Sequence, residues 1–367
     1  MIPLSYYNES KLMIHPEFGQ PYEDVVLRTT VCEEHPIHMH DCVEIIYVLR
    51  GRYECKMSFE QYEIREGEFM VFNAFELHRL CAIEPDSILS CIHVSKKMLP
   101  VSEGFIVWWG DILKSNKQNF NRQAANLSLL IEQYENRADS TLVSDTLERI
   151  IRMFRTRFRI VGFLMTDTHD TVEASEIDLD RANDIYMYMY RHCNEKMTLD
   201  DLSDHFALSK YYFAHFMKRM TGGSFQQFLN AARCDRAEIA LLDSSRPIEE
   251  IRLDFGFSSN QYFSTCFKKL FGMSPGIYRR TWQKFTILNR AFAERPVEDA
   301  SALFRCTGVR PQEETIVELH IKGTAGRLTL VEYLNGEETV TGYERTGEER
   351  IRIDCGTEEG VLIIKKQ

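Results

Sequence analysis

The sequence predicts a multidomain chain: an N-terminal β-barrel of jelly-roll type, an all-α domain with two helix-turn-helix units, and a β-rich C-terminal tail. Three observations predict it. Residues 23–95 run in short stretches rich in Val, Ile, Tyr and Phe, broken by Gly, Asp and Asn. From 103 to 160, and again from 179 to 282, apolar residues recur three and four apart. From 315 onward short β-type runs return. At 367 residues the chain is too long for one ordinary core, and 44% hydrophobic with 27% charged content marks it as globular.

The barrel is expected over 1–100. DVVLRTTVC, CVEIIYVLRGRYECKM, QYEIREGEFMVFN and SILSCIHVS have the vocabulary of strands joined by short turns. Over 101–166 the pattern is helical. Leu127, Leu130, Ile131 and Tyr134 make one apolar stripe, and Leu142, Leu147, Ile150, Ile151 and Phe154 make another. Such stripes either cover the barrel or dock a second copy of the chain, so this region is expected to serve packing and dimerisation. Residues 167–178, DTHDTVEASEID, are acidic and aperiodic and read as a linker. Helices fill 179–283. The region 284–367 is an addition, β-rich from 315, where TIVELHIKG, RLTLVEYLNGEE, RIRIDCG and GVLIIKK read as four strands.

The net charge of −11, taken alone, argues against a nucleic-acid binder. Residues 179–280 carry 14 Lys plus Arg against 12 Asp plus Glu, a net +2, so the basic groups there have to be gathered on one face. The ten cysteines include no CxxC pair, which suits a reducing compartment. The N-terminus lacks the pattern of a signal peptide, and no run of 18 apolar residues occurs. The expected location is cytoplasmic, without a membrane partner.

Within the barrel, His38 and His40 are two apart and share one face of a strand. Glu44 has the same parity, and His78 comes from a later strand. Three imidazoles and a carboxylate suit Fe, Mn, Ni, Zn or Co, or hydrogen bonding within a polar cavity. The segment resembles the cupin signature. His38, His40, Glu44 and Gly51 match the first motif, HxH, three or four residues, Glu, six residues, Gly. Gly67 and His78 match the second in position, but Asn73 stands where Pro is typical, Phe75 where Gly is typical and Ala82 where Asn often lies. The resemblance to sensor cupins implies a pocket for a small polar effector, a sugar first, lined by His38, His40, Glu44, Tyr47 and His78. Tyr53, Phe72 and Arg28 are further candidates for its interior. No cofactor is required. A divalent metal on His38, His40, Glu44 and His78 is the alternative occupant.

Two units with matching punctuation follow. Thr198 with Asp201 makes a capping box for a first helix, and Ser209 caps a second, KYYFAHFMKRM, ending at Gly222 and Gly223. Pro247 opens IEEIRLDF, Gly256 ends it, and Ser258 caps SNQYFSTCFKKLF, which stops at Gly272 before Pro275. A long helix, FQQFLNAARCDRAEIALLDSS, joins the units. Residues 180–279 resemble the AraC-type family of bacterial transcription regulators. The match is carried by Leu202, Ser209, Lys218, the TGGSFQQFL run, Arg233, Ala237, Leu241, Ile248, Ile251, Phe255-Gly256-Phe257, Tyr262-Phe263, Phe267-Lys268, Phe271-Gly272, Ser274-Pro275 and Tyr278-Arg279. Arg252 replaces a small residue, Met217 a Phe, and Ala207 a Gly. The tail from 283 is not part of that family's plan.

The resemblance implies a ligand-responsive regulator of sugar or carbohydrate genes, not an enzyme. Its implied partners are double-stranded DNA, a second copy of the chain and RNA polymerase, with activation the commoner sign and repression the other. Asn260, Gln261 and Thr265, with Ser259, are the implied base readers of the second unit. Tyr211, Ala214 and His215 are those of the first. Asn and Gln can hold adenine in bidentate fashion, and Thr can meet a thymine methyl. Lys268 and Arg252 are expected at phosphates, and Lys210, Lys218, Arg219, Lys269 and Arg279 at phosphates or on a solvated rim. A metal-dependent cupin enzyme with an appended helical module is the alternative, and a non-DNA-binding adaptor a third possibility.

Overall fold

The computed structural model describes residues 9–57, 60–98, 117–157, 176–221 and 223–297, and five strands between 316 and 363. Residues 101–116, most of the expected linker and Gly222 lie outside the described residues. The chain divides into two compact units, Met1–Thr307 and Gly308–Gln367.

The barrel consists of β1 (Met13–Ile14), β2 (Val25–His40), β3 (Val43–Arg50), β4 (Arg52–Met57), β5 (Glu60–Arg65), β6 (Phe69–Phe72), β7 (His78–Ala82) and β8 (Ile88–Val94). It gains β9 (Ala293–Pro296) from far downstream. The sheet runs β5-β4-β7-β2-β8-β3-β6, with β1 and β9 both paired to β2. The edge strands β5 and β6 approach each other, so the barrel is nearly closed. Gly51 makes the β3–β4 turn at φ +84°, where a Cβ would meet Ser87 Oγ at 2.1 Å.

Helices α1 (Lys117–Glu135) and α2 (Ser140–Arg157) pack on the barrel. Leu127, Leu130, Ile131, Leu147, Ile150, Ile151 and Phe154 are buried in one cluster with Ile45 and Phe69, and Phe120 stacks on Phe69 at 4.5 Å. The stripes are buried against each other and against the barrel, the first of the two expected destinations. Val143, not Leu142, holds the buried position one turn before Leu147, because it keeps the spacing of four, and Leu142 is exposed.

The helical domain comprises α3 (Glu176–Arg191), α4 (Leu199–His205), α5 (Lys210–Thr221), α6 (Phe225–Asp243), α7 (Ile248–Asp254), α8 (Asn260–Phe271) and α9 (Pro275–Trp282). The Thr198–Asp201 capping box forms as expected. Ser209 Oγ accepts the Tyr212 N–H at 3.2 Å, and Ser259 Oγ accepts the Tyr262 N–H at 3.1 Å. The second cap is therefore Ser259 and not Ser258, which puts Phe213 and Phe263 at the same distance behind their caps, both fully buried. Pro247 likewise sits at the N-cap of α7, one position before the helix. The turns between paired helices pass through left-handed backbone, at Ala207 (φ +52°) in the first unit and Gly256 (φ +71°) in the second. A Cβ at Gly256 would meet Asn194 O at 2.9 Å.

Helix α6 is the spine of the domain. Its buried Arg233 donates to the carbonyls of Cys193 (2.6 Å) and Glu195 (3.0 Å), and Arg236 donates to that of Tyr190 (2.9 Å). These carbonyls lie at and beyond the C-terminal end of α3, where peptide oxygens lack helical partners and attract cations. The first unit builds its own core from Ile185, Leu202, Phe213, Met217 and Phe228. The second does not close on itself. Leu241, Ile251, Phe255, Phe263 and Phe267 share one cluster with Leu12, Ile37, Met39 and Leu77 of the barrel. Inside this joint core, Lys56 of β4 pairs with Glu238 of α6 at 3.1 Å, the Tyr278 hydroxyl donates to the same carboxylate oxygen, and the ammonium lies 5.1 Å over the Trp282 ring.

The second unit contains β10 (Ile316–His320), β11 (Thr329–Leu334) and β12 (Glu337–Gly342) as an antiparallel sheet, and β13 (Arg350–Asp354) with β14 (Glu359–Ile363) as a hairpin. The tail has five described strands where four were expected, because RLTLVEYLNGEE contains β11 and the first two residues of β12, which TVTG completes.

Two stability predictions follow from this packing. Ala207 is an exposed alanine in left-handed backbone, so Ala207→Gly should stabilise the chain by about 0.5–1 kcal/mol in urea denaturation, and Gly256→Ala should destabilise it by more than that. Lys56→Met strands a buried carboxylate and should cost about 3–5 kcal/mol, with Glu238→Gln added to it restoring a measurable part. Additive losses in that pair would show that the two side chains do not interact.

Candidate functional site

The strand period of two, read at β2, builds the first site. His38 and His40 point into the barrel, while Ile37 and Met39 between them enter the core shared with the helical domain. Glu44 on β3 and His78 at the start of β7 complete the group. One ligand atom from each of His38, His40, Glu44 and His78 lies within 4.8 Å of the others, and all four residues are buried. The four residues expected to converge do so.

A fifth residue joins them. His93 of β8 is the cross-strand partner of Glu44. Its Nε2 lies 3.4 Å from Glu44 Oε1 and 3.3 Å from His40 Nε2. In the sequence His93 sits in an ordinary strand, SILSCIHVS, and only the pairing register brings it to the site. Tyr47 is corrected in the opposite direction. It is three residues from Glu44, an odd step that turns it to the other face of β3, and its hydroxyl bonds Ser128 of α1. Among the other residues expected inside, Phe72 stacks on His78 at 4.0 Å, and Tyr53 is buried with its hydroxyl directed to Cys32 O at 3.3 Å. Arg28 is half-exposed and pairs with Glu294.

The imidazoles are oriented from behind. Nδ1 of His38 meets Pro36 O at 2.7 Å, Nδ1 of His40 meets Ile14 O at 3.1 Å, and Nδ1 of His78 meets Glu76 O at 2.9 Å. A carbonyl only accepts, so each Nδ1 carries a proton and each Nε2 is the atom turned toward the carboxylate. Glu44 Oε2 lies 2.8 Å from His78 Nε2 and 3.4 Å from His40 Nε2. Burial, with His78 and His40 adding to it, holds His38 well below the usual imidazole range. Burial pushes the Glu44 carboxyl up, but His40, His78 and His93 outweigh it and hold it well below the usual range. Imidazole nitrogens and a carboxylate aimed at one point, each ring fixed by a backbone carbonyl, are donor types that divalent transition metals accept.

The turn leading to His78 is strained. Phe75 occupies the position where the cupin motif has Gly, and it keeps the glycine-like backbone at φ +66°. Its N–H donates to His40 O at 2.7 Å, and its ring packs against the core shared with the helical domain. These two contacts hold a conformation that bulky residues avoid.

The second site is the outer face of the helical domain. On α8, Asn260, Gln261, Thr265 and Lys268 are exposed together, with Ser259 at the cap. On α5, Tyr211, Ala214 and His215 are exposed, and the Tyr211 and His215 rings lie 4.5 Å apart. Thr265 Oγ1 bonds back to Gln261 O at 2.9 Å, which leaves its methyl and hydroxyl oxygen on the surface. Lys210 is tied to Asp200 at 2.6 Å and Arg219 to Asp178 at 3.0 Å. Arg252 is corrected: it is buried beneath the α7–α8 turn, where its guanidinium donates to Phe257 O, and so it faces the interior and not a phosphate. The aromatic residues Phe213, Phe255, Phe263 and Phe267 are core, as expected.

Comparison with known proteins fits this division. Residues 27–153 match the AraC-like ligand binding domain, and residues 202–281 match a helix-turn-helix domain. The right origin-binding protein of Escherichia coli is 31% identical over 106 residues, 28% of this chain and 37% of that protein. The chain thus spans just over a third of the length of such relatives. The transposon Tn10 TetD protein of Escherichia coli is 30% identical over 97 residues, 26% of this chain and 70% of that protein. The melibiose operon regulatory protein of Escherichia coli is 23% identical over 292 residues, 77% of this chain and 92% of that protein. With a ligand-binding barrel in front and two capped helix pairs behind, matched in that order, the chain belongs to the AraC-type family of transcription regulators.

Proposed function

We propose that this chain is a sequence-specific, double-stranded-DNA-binding transcription regulator whose barrel responds to a divalent metal ion. Two recognition helices with exposed polar ends support the DNA half. The observation that carries the effector is the convergence of three oriented imidazoles and one carboxylate, all buried, with ligand atoms within 4.8 Å of one another. His38, His40, Glu44 and His78 would hold the ion, with His93 beside Glu44. The ion would supply positive charge beside a buried carboxylate. The protein's own part is to keep each Nδ1 protonated on a carbonyl and to exclude water with Phe72 and Phe292, whose rings lie 4.0 Å from His78 and 5.0 Å from His38.

A sugar effector is the second reading. It is favoured by the likeness to the melibiose operon regulatory protein, at 23% identity. A sugar at the imidazoles would have to displace Phe72, stacked on His78, or Phe292, set edge-on to His38. Homodimerisation, recruitment of RNA polymerase and a cytoplasmic location complete the proposal and are supported by the family. No helix among the described residues is long and apolar enough to cross a membrane.

Protein purified without a histidine tag should carry close to one equivalent of a transition metal by elemental analysis, and His40→Ala should lose it. Metal-free wild type together with a thermal shift for one class of sugar would reverse the order of the two effectors. For DNA, Asn260→Ala with Gln261→Ala should reduce discrimination between operator and mismatched duplex, each bidentate contact being worth about 1–3 kcal/mol. Lys268→Ala should weaken all duplexes alike and lower the salt slope by about 0.9. Unchanged discrimination in the double variant would remove α8 as the reader.

A further inference from the structure

The segment behind the last helix returns to the barrel. It follows α9, beyond residue 281, where the helix-turn-helix match ends. Ile287 N–H donates to Ile37 O at 3.1 Å, β9 pairs with Thr30–Glu34 of β2, and Val297 N–H donates to Thr29 O at 3.3 Å. Between these points Phe292 lays its ring 5.0 Å from His38 and 4.8 Å from His35. Two residues on, Glu294 is held from three sides. Its Oε2 lies 2.7 Å from His35 Nε2 and accepts from Thr30 Oγ1 at 3.3 Å, and its Oε1 lies 3.0 Å from Arg28 Nη2. The partners are elements of β2, the strand that carries His38 and His40. Arg295 adds an outer pair to Asp86 at 2.9 Å.

His38 therefore has His78 on one side, at 4.3 Å, and Phe292 on another. We propose that the segment 286–297 is the lid of the histidine site: Phe292 is a wall residue supplied from beyond the DNA-binding module, Glu294 clasps it to His35, and occupation of the site and docking of β9 are coupled. This rests on the reading that the site takes a metal ion. Because α9 and the segment are continuous in sequence, a change at the lid reaches the second helix-turn-helix unit directly.

The test uses the full chain with Co2+ as probe, followed by its visible absorption, and deuterium exchange of 286–297. Release of Co2+ to a chelator should be about tenfold or more faster in Phe292→Ala and Glu294→Gln than in wild type, with Phe292→Leu close to wild type. Bound Co2+ should slow exchange across 286–297 in wild type and have little effect there in Glu294→Gln. Equal release rates in all four proteins, or exchange in wild type indifferent to Co2+, would overturn the lid. If wild type binds no Co2+, the metal reading fails separately. Exchange then decides: Phe292→Ala must speed exchange at the amides of 37–40, and unchanged protection there overturns the coupling.

Discussion

Everything in the larger unit hangs on the two faces of one strand. In β2 the run Ile37-His38-Met39-His40 sends imidazoles to the inside and apolar side chains to the outside, as the pleat requires. The inner pair makes half of the buried donor set. The outer pair makes part of the core that the second helix-turn-helix unit shares with the barrel. A slip of one residue in the pairing of β2 would invert both at once, leaving a buried site without ligands and an interface lined with histidine. The same four residues are also the landing point of the N-terminal strand β1, of the Phe75 amide and of the Ile287 amide. The site and the joint between domains are thus one backbone segment read from opposite sides, and whatever shifts its carbonyls is felt by both.

Much of this was legible in the residues because it depends on local rules. Parity on a strand is local, so His38 and His40 could be paired before any fold was known, whereas Glu44 lies across a two-residue turn on β3 and its inward aim is set by that turn. Caps are local, so Thr198, Ser209 and the Gly256 and Gly272 stops marked the helices, with an error of one residue at Ser259, where two serines stood side by side. What local rules do not reach is partner choice across the chain. His93 enters the site through the register of β3 with β8, a fact of topology. Arg252 looked like a surface cation until the turn it supports was closed over it. The stripes of α1 and α2 had two possible destinations, and periodicity cannot tell a barrel from a second subunit. Tyr47 is different: the parity that grouped the other residues already placed it on the wrong side.

The two helix-turn-helix units solve the same problem with different residues. Each turn needs one residue in left-handed backbone. The second uses Gly256, beside Asn194 O and Arg233, where no side chain fits. The first uses Ala207, exposed, where a methyl is tolerated at some cost in conformation. The units also differ in burial. The first closes its own core, whereas the second borrows Leu12, Ile37, Met39 and Leu77 from the barrel. The second unit is accordingly the one whose position the barrel sets, and the first is held to it through α6 and the arginines at the end of α3.

Helix α6 is 19 residues long, with side chains buried around nearly all of its surface from Phe228 to Leu242. At 1.5 Å per residue it is about 28 Å end to end. A helix packed on every side does not stretch or hinge. Asn230, near its start, donates to the Tyr262 hydroxyl of α8 at 2.7 Å, so the second helix pair folds back along α6 toward the first. The two helix pairs are therefore carried as one stiff piece, and a displacement imposed on either is passed whole to the other.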